Sequence, residues 1–202
     1  SRLELGAQDM HPETEGAFTG EISPLMLKEV GCRYVILGHS ERRSKFHETD
    51  ESVNQKVKSA LKFNLVPIVC IGETLEEREA RKAFEVVKSQ FDGSLNDLTE
   101  EEIQRVTIAY EPVWAIGSGR TPTPSEVDQI HRLIRAELLA TFGEQIGCRL
   151  PILYGGSVTT ANVGPIMALD AIDGCLVGGA SLAASSFLPL AGLVRASGPQ
   201  GV

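Results

Sequence analysis

Six short, mainly apolar runs recur along the chain, at residues 3–8, 34–37, 66–71, 106–110, 150–154 and 172–177, and those at 34–37, 66–71 and 150–154 are apolar throughout. A strand that is apolar on both faces belongs to a parallel sheet covered by helices. A segment with helical spacing follows each run. The second helix, for example, places Val53, Val57, Ala60 and Leu61 on one face over residues 51–63. Ser23 as a cap, Pro24 in the first turn and Gly31 at the end bound the first helix. The others fall at residues 75–95, 126–142, 161–167 and 186–194. The pattern predicts six βα units with no domain linker, in a single α/β domain.

Polar, ionisable or glycine residues stand at the C-terminal ends of these strands: Gln8, His39, Glu73, Glu111, Gly156-Ser157 and Gly178-Gly179. That is the end where a (β/α) barrel builds its active site. A complete barrel of eight units takes about 250 residues, or roughly 31 per unit. The 202 residues here supply about six and a half units on that figure. The expectation is therefore an incomplete barrel, lacking two units at the front.

The stretch Ile108-Ala109-Tyr110-Glu111-Pro112-Val113-Trp114-Ala115-Ile116-Gly117-Ser118-Gly119-Arg120 ends a strand on a carboxylate. Pro112 stops the strand, and a short apolar body then closes on two glycines. That composition suits a lid with a hinge at each end. A carboxylate under an apolar cover is a candidate general base, although structural ion pairs also place carboxylates at strand ends. The segments Gly155-Gly156-Ser157 and Gly178-Gly179 follow the last two strands and are expected to open short helices. Glycine there lets backbone N–H groups approach a phosphate. His39 ends its strand just ahead of a helix start, whose N–H groups can hold the imidazole neutral. The charges over residues 75–95 read as a solvated helix face.

The net charge of −8 argues against nucleic acid and anionic membrane as partners. No apolar stretch reaches the length of a membrane span. Cys32, Cys70, Cys148 and Cys175 have no C-x-x-C spacing, so they read as buried thiols in a reducing cytoplasm rather than as metal ligands or disulfides. No metal and no cofactor is expected.

The motifs Gly38-His39-Ser40-Glu41-Arg42-Arg43, Tyr110-Glu111-Pro112-Val113-Trp114-Ala115-Ile116-Gly117, Tyr154-Gly155-Gly156-Ser157 and Leu176-Val177-Gly178-Gly179-Ala180-Ser181 together resemble those of the triosephosphate isomerase family. The resemblance runs from residue 1 to about residue 195. It implies an incomplete TIM (β/α) barrel of six parallel strands with surrounding helices. It implies an aldose–ketose isomerase of glycolysis and gluconeogenesis, interconverting dihydroxyacetone phosphate and glyceraldehyde 3-phosphate. It assigns proton transfer to Glu111, carbonyl polarisation to His39, and an acidic position beneath the site to Glu41. Residues 112–120 become the closing loop. Backbone N–H groups of Gly117, Ser157, Gly178 and Gly179 would hold the phosphate. Gln8 and Thr19 become interface residues of a homo-oligomer, a dimer foremost, through the loop at residues 9–19. Asp9 occupies a loop position where the family often has Asn.

One departure matters more than these matches. The family's first strand carries an Asn and a Lys in an Asn-x-Lys motif, and the reading finds neither that strand nor that motif here. Losing such a cation costs about 3 kcal/mol or more of transition-state stabilisation. The expectation is a chain that is inactive or strongly impaired by itself. The alternatives are a non-catalytic phosphate-binding or structural homo-oligomer, and one part of a split isomerase.

Overall fold

Each apolar run contains a strand in the computed structural model, which describes residues 3–197. The strands are β1 (Leu5–Ala7), β2 (Cys32–Leu37), β3 (Val66–Ile71), β4 (Thr107–Tyr110), β5 (Ile152–Tyr154) and β6 (Gly174–Cys175). The helices are α1 (Pro24–Glu29), α2 (Ser40–Lys45), α3 (Asp50–Lys62), α4 (Leu75–Glu79), α5 (Ala83–Ser94), α6 (Glu100–Ile103), α7 (Pro124–Phe142), α8 (Glu144–Gly147), α9 (Val163–Met167) and α10 (Ala184–Ser197). Residues Val113–Ala115 and Gly179–Ser181 form single 3₁₀ turns. The chain forms two compact units, one of the residues up to Ile71 with Lys88–Ile108, the other of Gly72–Val87 with the residues from Ala109 on.

In the first unit the strand order is β1-β2-β3, all parallel. β2 pairs with β3 in unbroken register from Tyr34 opposite Val66 to Leu37 opposite Val69. The pairing of β1 with β2 slips between Leu5 and Gly6. Val35, Leu37, Val69, Val53, Val57 and Leu61 form the core between these strands and α3. Their burial explains why β3, and β2 from Tyr34 on, are apolar runs. Leu3 and Leu5, at the β1 edge, are exposed.

The second unit takes Ala109 and Tyr110 from the end of β4, and in the sheet order β4 is followed by β5 and β6. β5 and β6 run parallel, Leu153 opposite Gly174 and Tyr154 opposite Cys175. The last strand was expected over six residues and has two. Its pairing nonetheless extends at both ends, through Asp173 N–H to the Ile152 carbonyl and Leu176 N–H to the Tyr154 carbonyl. Ile130, Ile134 and Leu138 of α7 pack with Ile152, Val163 and Ile166 in the core. On α10, Leu188 and Leu193 are exposed.

Four helices begin with a capping box: Thr49 with Ser52, Thr74 with Glu77, Thr99 with Glu102, and Thr123 with Glu126. In each, the threonine hydroxyl takes the N3 amide while the N3 side chain accepts from the cap amide. The box at Thr123 starts α7 at Pro124, two residues earlier than expected, because proline suits a first helical position. The single helix expected over residues 75–95 is two helices. Arg81 has φ +60 between them, which no continuous helix tolerates. Of the four cysteines, Cys32 and Cys70 are buried, but Cys148 is exposed, contrary to the expectation of buried thiols throughout. All four are free thiols.

Candidate functional site

The second unit holds Glu111. It follows β4 directly and is 1% exposed. Glycines flank it on two sides. A Cβ on Gly72 would overlap the Glu111 carbonyl oxygen, and a Cβ on Gly155 would lie 2.9 Å from the Glu111 Cγ. The Gly155 N–H also donates to the Tyr110 carbonyl at 2.7 Å. The loops after β3 and β5 can approach Glu111 this closely only because they lack side chains at those positions.

After Glu111 comes the 3₁₀ turn Val113–Ala115, closed by Ala115 N–H donating to the Pro112 carbonyl. Val113 N–H donates to the Glu73 carbonyl at 3.1 Å. Gly117 and Gly119 have φ +66 and +75, a region that favours glycine. Ser118 Oγ bridges the turn, donating to the Trp114 carbonyl and accepting from Arg120 N–H.

Glu73 is the residue that sequence reasoning underrated. Its side chain is 0% exposed and forms a hub. Its Oε1 accepts from Arg78 Nη1 at 2.9 Å, Trp114 Nε1 at 2.9 Å and Tyr110 OH at 3.1 Å. Arg78 also stacks over the Trp114 ring at 4.5 Å and reaches Glu126 at 2.8 Å. Burial first, then the neighbouring Glu73 charge, holds the Tyr110 hydroxyl far above its ordinary pKa, so it stays a donor. The available signal was its position: Glu73 ends a strand, as Glu111 does.

Ser157, Gly178 and Gly179 are exposed, at or after strand ends. Gly178-Gly179 does lead into a short 3₁₀ turn, where the Gly178 carbonyl accepts from Ser181 N–H and Oγ. Gly155-Gly156-Ser157 does not open a helix as expected. A polar turn intervenes, in which Asn162 accepts from Thr159 N–H and donates to the Ser157 carbonyl, and α9 starts only at Val163.

His39 and Glu41 lie in the first unit. His39 caps α2, its Nδ1 accepting from Glu41 N–H at 3.3 Å. An accepting Nδ1 carries no proton, so in the neutral ring the proton is on Nε2. Glu41 touches His39 through this backbone amide. Its carboxylate is exposed, with Lys45 at 4.0 Å. Arg43 binds the Gly38 carbonyl at 2.8 Å and Asp50 at 2.6 Å, fixing the β2–α2 turn. Gln8 and Thr19 are exposed on the loop after β1. Asp9, in the same loop, joins Lys56 at 2.8 Å and Arg42 at 2.9 Å, and both cations also bind Glu48.

The string Asn-x-Lys does occur once, as Asn54-Gln55-Lys56, which corrects the reading that the motif is absent. It lies inside α3, not on a strand. Asn54 donates to the Ser94 and Asn96 carbonyls, and Lys56 is consumed by Asp9 and Glu48. Its role is structural. Among the described residues, no group of three or more His, Cys, Asp or Glu could hold a metal ion, and no helix is long and apolar enough to cross a membrane.

Six parallel strands, each followed by helix, with ionisable and glycine residues at their C-terminal ends, define an incomplete TIM (β/α) barrel. The comparisons with known proteins narrow this class. The triosephosphate isomerase family profile matches residues 1–194. The triosephosphate isomerase of Carboxydothermus hydrogenoformans is 53% identical over 187 residues, covering 93% of this chain and 74% of that protein. That of Alkaliphilus oremlandii is 53% identical over 188 residues, covering 93% and 76%. The crystal structure of triosephosphate isomerase from Bartonella henselae superposes with a TM-score of 0.86 at 40% identity, covering 95% of this chain and 76% of that one. The chain belongs to the triosephosphate isomerase family.

Proposed function

We propose that this chain carries the catalytic base and phosphate loops of a triosephosphate isomerase, acting on dihydroxyacetone phosphate and glyceraldehyde 3-phosphate in glycolysis and gluconeogenesis. The observation that carries the reading is the setting of Glu111. It is a fully buried carboxylate at a strand end, closed in by Gly72 and Gly155, with a glycine-hinged segment directly after it. In this reading Glu111 takes a proton from one carbon of the triose and returns it to the next. His39 donates from Nε2 to the carbonyl oxygen and steadies the enediolate. Its Nδ1 contact with Glu41 N–H supports that tautomer. The backbone N–H groups of Gly117, Ser157, Gly178 and Gly179 hold the phosphate, so substrate anions are met by local donors on a chain of net charge −8.

The same reading makes this 202-residue chain inactive or strongly impaired by itself. Its one Asn-x-Lys string is spent inside α3, and no other residue is assigned the missing cation's role. A second reading is one part of a split isomerase, in which the missing units would cover the exposed Leu3 and Leu5 at the β1 edge. A non-catalytic phosphate-binding or structural homo-oligomer is the remaining alternative. A cytoplasmic location and a homodimer through the loop at residues 9–19 complete the proposal.

A coupled isomerase assay tests it, run on the purified chain with and without a polypeptide carrying the first two βα units of the Carboxydothermus relative. Negligible turnover alone, and turnover with the added units that Glu111→Gln abolishes, supports the base and the split reading. Turnover of the chain alone within the usual range of about 10 to 1000 per second overturns the impairment. No turnover in either arm leaves the non-catalytic alternative.

A further inference from the structure

His131 sits in the middle of α7 with 0% exposure, and no step of the proposed reaction uses it. Its Nδ1 lies 3.3 Å from the Ala171 carbonyl. A carbonyl only accepts, so Nδ1 carries the proton and Nε2 presents a bare lone pair. That Nε2 has no hydrogen-bond partner among the described residues. The ring meets Tyr110 edge to face, at 5.6 Å and 85°, and lies 6.5 Å from the Tyr154 ring, whose hydroxyl is likewise buried without a partner. His131 is thus the joint between α7 and the ends of β4 and β5. Tyr110 immediately precedes Glu111, and Tyr154 immediately precedes Gly155-Gly156.

A second proton would have to enter at Nε2, and the surroundings do not receive it. On α7 itself, Asp128 offers a carboxylate, but Arg132 holds one of its oxygens at 2.6 Å. Arg135, one turn on, repels an imidazolium and is tied to Asp173 at 2.8 Å. From β4 comes the Tyr110 phenol, committed to Glu73, which is held in turn by Arg78. From β5 comes the Tyr154 phenol, with the half-buried Cys175 thiol of β6 beside it, and burial pushes both up, so neither supplies an anion. The turn after α9 presents Asp170, Ala171 and Asp173, and α9 contains no titratable side chain. The net environment disfavours the cation.

We propose that His131 is an acid-sensitive latch of the second unit: neutral, it locks α7 onto Tyr110 and Tyr154, and protonation releases that seam and loosens the strand ends that carry Glu111 and Gly155. The latch concerns the second unit alone and stands whether or not the isomerase reading does. Burial, the largest influence, lowers the His131 pKa to about 4 from an ordinary 6.5. A folded value below the open value means that opening takes up a proton. The latch therefore holds above about pH 6.5 and weakens progressively as pH falls toward 4.

Amide hydrogen exchange on the intact chain, corrected for the intrinsic pH dependence, tests this. Between pH 7.5 and 5.5, peptides covering residues 107–111, 126–138 and 152–156 should gain about tenfold in opening. Peptides from β2, β3 and α3 should not change in parallel. In His131→Gln, whose amide can still donate to Ala171 without titrating, the acceleration should vanish. Persistence of the acceleration in that variant overturns the latch. If the variant does not fold, imidazole NMR on the wild-type chain decides. The ring of His131 must stay neutral in the folded form at pH 5.5, and a normal titration near 6.5 without added exchange also overturns it.

Discussion

The Glu73 carboxylate receives the Trp114 indole N–H at 2.9 Å, tying the segment after Glu111 to the loop after β3. The same oxygen takes Tyr110 and Arg78, so one buried charge sets the resting position of three side chains around the strand end. Replacing Glu73 by Gln removes the counter-charge and leaves Arg78 with Glu126 alone. Breaking a buried pair costs about 3 to 5 kcal/mol. With Arg78 partly exposed and still paired, a loss of about 2 to 3 kcal/mol is expected. Trp114 is the only tryptophan, so its emission reports the event directly. Glu73→Gln should shift both the urea midpoint and the native emission spectrum, and an unchanged spectrum would show that Glu73 does not hold the indole.

Gly72 has no room for a methyl group. A Cβ there overlaps the Glu111 carbonyl oxygen, a backbone atom that cannot swing aside. Overpacking against flexible neighbours costs about 1 to 3 kcal/mol. Against backbone the cost should reach the upper end, and Glu111 itself should move. Gly72→Ala is expected to lower the thermal midpoint clearly. In a complemented assay it should reduce kcat more than KM, because it displaces Glu111, the base of the proposed reaction, rather than the loops proposed to hold the phosphate. Unchanged midpoint and kcat would show that the two loops are not in contact.

The sequence made the strands legible because burial on both faces leaves continuous apolar runs, and β3 is found at the very residues expected. The place of Glu111 at the end of a strand was legible for the same reason, since it is the polar end of such a run. What escaped was set by backbone conformation or by long-range pairing. Nothing in the helical spacing of residues 75–95 announces that Arg81 turns left-handed. The short α2, α6 and α8 are too brief to show a period. The Glu73 hub depends on Tyr110, Trp114 and Arg78 arriving from separate segments. The Asn54-Gln55-Lys56 string shows the converse, a motif spelled in sequence whose side chains are engaged in holding α3.

Two carboxylates of the first unit should respond unequally to removal. Burial raises both, but at Glu48 the hydrogen bonds from Lys56 and Arg42 outweigh it and the pKa is lowered. At Asp9 burial wins and the pKa is raised. A lowered carboxylate gives stability that is present above its unfolded pKa and lost as pH falls through the folded one. Glu48→Gln should therefore cost about 3 kcal/mol at pH 7, the cost of breaking a buried pair, and flatten the loss of stability below about pH 4.5. Asp9→Asn should change stability at pH 7 by less than about 1 kcal/mol, since ionised Asp9 is already disfavoured there. Urea melts of both variants from pH 3 to 7 check the asymmetry, and equal losses at pH 7 would refute it.

The first unit leaves Phe18, Ile22, Met26 and Val30 exposed on and beside the loop after β1. If the proposed subunit interface lies here, these side chains should be covered in solution. Sedimentation at low micromolar concentration is expected to show a dimer. Met26→Asp should shift it to monomer without unfolding, because the Met26 side chain is about half exposed in the single chain. A monomer in the wild type would move the interface elsewhere.

Arg81 adopts φ +60 between α4 and α5. A non-glycine residue in that region costs about 1 to 2 kcal/mol, while glycine enters it freely. The geometry is not accidental, because Arg81 N–H donates to the Arg78 carbonyl and Lys82 N–H to the Glu77 carbonyl at 2.8 Å, ending α4 in a tight turn. Arg81→Gly keeps both bonds and removes the strain, at an entropic cost of about 0.5 to 1 kcal/mol in the unfolded chain. The net expectation is a gain of about 0.5 to 1 kcal/mol. Arg81→Ala keeps the strain and should gain nothing. Thermal melts of the pair separate backbone relief from loss of the guanidinium, and equal behaviour of the two variants would assign the effect to the side chain instead.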